Sequence, residues 1–199
     1  MIHEKIEKRQ FIFDAEMRAM SDEKMEVEGY ALKFDKATTI GGRYGWSEKI
    51  SKTALDEADL SDVVFNFNHD INNILAGTRN SSLDLIIDNI GLKINARITD
   101  TSIGRDVFQL IKDGLINKMS FMAIIKSSSW SWADDPEELD EREILGFGKF
   151  FDVSAVTFPA YQDTELAARS LGIEDANMRA ARQYERQMRR MENILKGRL

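Results

Sequence analysis

The sequence predicts an α+β fold: a compact, mostly antiparallel β-barrel with surrounding helices, followed by a helical C-terminal extension. Three observations carry this expectation. Short apolar stretches separated by turn residues crowd positions 62–99, the density expected of a barrel or a strongly curved sheet. One stretch, 101–114, has its apolar residues at helical spacing. Beyond Gly172 the chain becomes a long, charged, helix-like segment. Residues 1–172 are therefore assigned to one domain and 173–199 to an extension.

Taken in order, 9–20 and 25–34 alternate apolar and polar residues over much of their length, with Ser21-Asp22-Glu23 between them, as in an opening antiparallel pair. Gly41, Gly42 and Gly45 mark a connection, and Ser51 stands as an N-cap before a short helix over 51–58. From Asp62 a strand pattern puts Val63, Phe65, Phe67 and His69 on one face. Further strands are expected at 73–78, 81–88 and, after the Asn89-Ile90-Gly91 turn, 92–99. The helix at 101–114 carries Ile103, Val107, Leu110 and Ile111 on one face and stops at Gly114. It leads into a strand with Lys118, Ser120, Met122 and Ile124 on one side and Met119, Phe121, Ala123 and Ile125 on the other.

The stretch 127–142, with Trp130, Trp132 and a run of acidic residues around Pro136, has the composition of a solvated loop. Order resumes at Ile144 and runs to Pro159, with Asp152 the one ionisable group in the apolar run 150–159. A short helical piece over 164–171 precedes the tail. There Met178, Ala181, Tyr184, Met188, Met191 and Leu195 form a seam that either docks on the domain or meets a partner helix.

Composition excludes several function classes. The 199 residues carry a formal charge of −7, which disfavours a nucleic-acid-binding body. From Glu174 onward seven basic residues face four acidic ones, a local +3 that leaves about −10 elsewhere. No apolar run approaches the roughly 20 residues of a membrane span. The charged N-terminus is unlike a signal peptide, so an intracellular protein is expected. With no cysteine and only His3 and His69, thiolate chemistry is absent and zinc disfavoured, an oxygen-ligated ion remaining open. No cofactor is expected.

Three polar residues in apolar surroundings are the candidate site. Ser120 places a hydroxyl inside a strand, His69 is the one imidazole in the body of the chain, and Asp152 is a carboxylate in a hydrophobic run. Buried, each needs a partner. Each also has a plainer role, as a backbone-bonded serine, a core histidine or a strand-end charge.

The segments Asn66-Phe67-Asn68-His69-Asp70, Lys118-Met119-Ser120-Phe121-Met122 and Phe151 through Ala160 together resemble the three signature blocks of the tailed-phage prohead protease family. The opening strand around Gly29, the Asn89–Leu92 turn and the helix before Ser120 match as well, so the resemblance spans roughly 25–170. It implies a fold related to the herpesvirus assembly protease. It also implies a serine endopeptidase of capsid maturation, acting in the host cytoplasm inside the immature capsid. The major capsid protein or its scaffold segment would be the substrate, with the protease itself a second candidate and self-association open. The family roles fall on His69 as general base and Ser120 as nucleophile, and on Asp152 where the family usually has a glutamate. The rival reading is a non-catalytic capsid-assembly or scaffold-like binding protein that keeps the fold.

Overall fold

Two long strands near the C-terminal end of the domain organise the fold. The computed structural model describes residues 8–13, 17–40, 45–133, 135 and 138–157, and the isolated positions 184, 188 and 191. In chain order these form β1 (Lys8–Phe13), β2 (Arg18–Ser21), β3 (Glu26–Lys33), β4 (Thr38–Ile40), β5 (Trp46–Ile50), β6 (Val64–Phe67), β7 (Asp70–Gly77), β8 (Leu83–Ile87), β9 (Gly91–Arg97), α1 (Ser102–Lys112), β10 (Lys118–Ser131) and β11 (Asp140–Val156).

The seven-stranded sheet is built on the antiparallel pair β10–β11. On its outer side β10 pairs with β1. The other side of β11 takes two parallel partners in succession, β5 along 140–144 and β6 along 152–155. β4 then adds to β5 and β7 to β6. A second sheet runs β2-β3-β9-β8, all antiparallel.

The sheets stay open, which corrects the expected barrel. Among the described residues neither end of the four-stranded sheet pairs with the larger one. Curvature comes instead from register shifts in β10–β11 between Met122 and Ser128, where unpaired residues bend the ladder. Inner faces of the two sheets meet over Val27, Leu32, Leu92, Ile94, Phe65 and Met119, all buried. Phe121, Phe147 and Phe150 pack in a triangle with ring centroids 5.2–5.5 Å apart. β3 approaches β10 so closely that a Cβ at Gly29 would lie 3.0 Å from Met119 Sδ.

The expected helix before Ser120 forms as α1, capped by the Thr101 hydroxyl, which accepts from Gly104 N. Gly114 ends it with φ +73°. Its buried residues are Gly104, Val107, Phe108 and Ile111.

Other expectations need correcting. The stretch 9–20 is two strands in different sheets, and only β2 pairs with β3. Residues 51–58 form consecutive turns instead of a helix: Ala54 O accepts from Phe147 N at 2.8 Å, so Ala58 N turns to Leu55 O. β11 has taken the carbonyl that helix propagation requires. Nor is 127–142 mainly a loop, since β10 and β11 run on to Ser131 and from Asp140. There Arg142 is buried because Glu48 Oε2 (3.4 Å), the Ser128 hydroxyl (3.1 Å) and the face of Trp130 (5.4 Å) surround it. Around the core α1 is the one multi-turn helix among the described residues, so the surrounding helices are fewer than expected. The helical piece at 164–171 lies outside the described residues, as does nearly all of 173–199, in which Tyr184, Met188 and Met191 are helical and exposed.

Candidate active site

Strand alternation along β10 sends Met119, Phe121 and Ala123 into the core, all 0% exposed, and turns Ser120 to the opposite face. That face is also closed to water at this point, because Ser120 is itself fully buried. Ser120 lies opposite Ser154 of β11, which in turn lies opposite Asn66 of β6, so the three share a face. Asp152, two residues before Ser154, shares it too.

His69 arrives by another route. Phe67 and Asp70 pair across the β6–β7 hairpin, leaving Asn68 and His69 as its two-residue loop, with φ of 53° and 57°. Two positive φ values make this a type I′ turn, whose second central position is ordinarily glycine. A left-handed histidine costs roughly 1–2 kcal/mol. Such strain is kept where surrounding contacts enforce it, and it concentrates at functional sites. The turn also corrects the expected row of Val63, Phe65, Phe67 and His69: the imidazole leaves the strand and swings to the face carrying Asp152.

There the ring Nδ1 bonds Asp152 Oδ1 at 2.7 Å, with the two side chains 8% and 5% exposed. A carboxylate can only accept, so Nδ1 carries the proton, and in the neutral ring Nε2 is the lone-pair nitrogen. His69 Nε2 and Ser120 Oγ are both buried and have no hydrogen-bond partner among the described residues. Orphaned buried atoms cost about 1–3 kcal/mol each, and here they are a basic nitrogen and a hydroxyl. The two are not bonded to each other; nucleophile–base contacts commonly close when substrate binds. The structure thus joins His69 to Asp152 directly and sets Ser120 on the same face, one strand from Asp152.

Further residues on this face and around the turn escaped the sequence reading. Ser154 Oγ accepts from His69 N at 2.9 Å. Asn68 N donates to Ala155 O at 2.9 Å, while Asn68 Oδ1 accepts from Thr157 N and Oγ1, both at 3.2 Å. Asn66, fully buried, has neither amide atom bonded among the described residues. A two-residue period from Asp152 would have marked Ser154. No local signal marked the turn contacts, since histidine stands where glycine would announce the turn.

Comparison with known families decides the class. The family described as caudovirus prohead serine protease matches residues 13–179, most of the chain. The chain belongs to the caudovirus prohead serine protease family. This membership makes it a serine peptidase in general type and associates it with capsid maturation. The matched span contains β2 through β11, and so His69, Ser120 and Asp152, and leaves out most of β1. No curated protein matches the chain, and no solved structure does.

No group of three histidine, aspartate or glutamate side chains able to hold a metal occurs among the described residues. No helix among them is long and apolar enough to cross a membrane.

Proposed function

We propose that this prohead-protease family member is a serine endopeptidase that removes scaffold segments from the capsid protein, with Ser120 as nucleophile, His69 as general base and Asp152 as the group orienting the imidazole. The observation that carries the assignment is the 2.7 Å bond from His69 Nδ1 to Asp152 on the face that presents Ser120. The shorter side chain suffices because β11 places Asp152 beside the turn that bears His69.

Ser120 Oγ attacks the scissile carbonyl carbon as its proton passes to His69 Nε2. Asp152 stabilises the imidazolium without taking its proton. The tetrahedral intermediate expels the amine, which takes the proton from Nε2. Water, deprotonated by the same nitrogen, then attacks the acyl-enzyme ester, and release of the acid restores Ser120. The protein would work in the host cytoplasm within the immature capsid, on the major capsid protein and on itself as a second candidate, with 173–199 as a delivery extension.

The direct test uses a peptide spanning the scaffold junction of the capsid protein. Ser120→Ala and His69→Ala should fold and lose turnover. Turnover by purified Ser120→Ala at the parental rate contradicts the assignment, and a wild-type protein that binds the capsid protein without cutting it favours the assembly role.

A further inference from the structure

We infer that Ser154 is a positioning residue of the proposed protease, fixing the His69 backbone so that the imidazole addresses Ser120; the inference rests on the catalytic assignment above. The hairpin that carries His69 holds two consecutive non-glycine residues at positive φ, 53° and 57°. Closing a two-residue hairpin as a type I′ turn requires positive φ at both positions, which glycine takes freely and histidine only at a cost, and an extended or right-handed backbone would carry the ring elsewhere. β11 supplies contacts that offset this cost and hold the turn in place.

His69 N can only donate, so the Ser154 hydroxyl oxygen must be the acceptor in their 2.9 Å bond. Its own proton is then directed to a carbonyl, Asn66 O at 3.2 Å or Ala155 O at 3.3 Å. Either choice leaves an oxygen lone pair aimed at His69 N. Ser154 is 0% exposed, so water does not compete for these bonds. The histidine is thereby held at two points by one strand: Asp152 grips ring Nδ1, and Ser154, two residues on, grips the backbone nitrogen. The same Ser154 is the cross-strand partner of Ser120. One residue therefore sets the general base relative to the nucleophile, its hydroxyl holding His69 and its backbone paired with that of Ser120. Asn68 N to Ala155 O, and Thr157 to Asn68 Oδ1, hold the other half of the turn against the same strand end.

Loss of the Ser154 oxygen should lower the chemical step while leaving substrate binding intact. For full-length Ser154→Ala on the scaffold-junction peptide, kcat should fall on the order of 10- to 100-fold, the effect of small misplacements of reacting groups, with KM changed less than about threefold. The downfield resonance of the His69 Nδ1 proton reports the geometry independently of turnover. It should be retained in Ser120→Ala and shifted or broadened in Ser154→Ala. Ser154→Thr, which keeps the hydroxyl, should recover both kcat and the resonance. If Ser154→Ala melts below the assay temperature, Ser154→Cys, close in size and a weak acceptor, takes its place with the same expected loss. Parental kcat and an unchanged resonance in the alanine or cysteine variant overturn the role of Ser154 while Ser120→Ala and His69→Ala stay inactive. Parental turnover by Ser120→Ala instead overturns the catalytic assignment itself.

Discussion

At the scale of single residues, the proposed site depends on three groups whose value lies in acting together. In the proposed mechanism Ser120 and His69 serve one proton transfer, so the double alanine variant should be little slower than either single variant; losses that multiply in a kinetic cycle would assign them separate roles. Asp152→Asn removes the acceptor that fixes the Nδ1 proton and should lower kcat by up to about 10⁴-fold, the scale known for Ser-His-Asp triads. Asp152→Glu keeps a carboxylate on the same strand face and should retain measurable turnover. Equal rates for Asp152→Asn and wild type would return Asp152 to a structural role. Much of this was legible beforehand: alternation put Ser120 on the side away from Met119 and Phe121, and a lone carboxylate between Phe151 and Val153 called for a partner. The route of His69 was not legible. Strand periodicity carries a side chain straight on, whereas the left-handed Asn68–His69 pair reverses it, and histidine in a glycine position gives no sign of the turn.

Among the elements, long-range backbone competition explains what local pattern missed. Residues 51–58 have helix propensity, yet Ala54 O is held by Phe147 N and Asp59 N by Gly148 O, so β11 overrides a weak local preference. Residues 127–131 look solvated, yet β10 continues because the buried Arg142 has partners in the buried Glu48 and in the half-buried Ser128 and Trp130. By contrast α1 needed only its own amphipathic face, the Thr101 cap and Gly114. The β2-β3-β9 sheet offers an electrostatic test. Glu28 accepts from Lys93 Nζ at 2.7 Å and from Arg18 Nε and Nη2 at 2.8 and 2.6 Å. Its hydrogen bonds to Lys93 and then Arg18 hold the carboxyl below the usual 4.5. A depressed folded-state value means the stabilisation is present above the unfolded-state value and is lost as pH falls through the folded one. Glu28→Gln should therefore cost about 1 kcal/mol at neutral pH, Arg18 being exposed. In urea unfolding that difference should shrink below pH 4.5 and vanish once the carboxyl is protonated in both states. A difference constant with pH would show that the ion pairs are not its source.

For the whole molecule, family membership covers 13–179, and the proposed site lies where β6, β10 and β11 run side by side in the open two-sheet fold. The barrel expectation failed because strand density reports how many strands there are and not whether the last pairs with the first. Delivery is the role proposed for residues 173–199, whose charge is opposite in sign to that of the rest of the sequence. Deleting it should leave turnover of the scaffold-junction peptide within about twofold and reduce incorporation into assembling particles, while loss of both folding and turnover would make it part of the core. The central claim is that this chain cuts the capsid protein with Ser120, and intact-mass spectrometry of the capsid protein co-expressed with wild type or with Ser120→Ala tests it most directly. A capsid protein shortened by one discrete segment with wild type, and of full mass with Ser120→Ala, is the predicted result; the same shortened mass with both, or full mass with both, would contradict it.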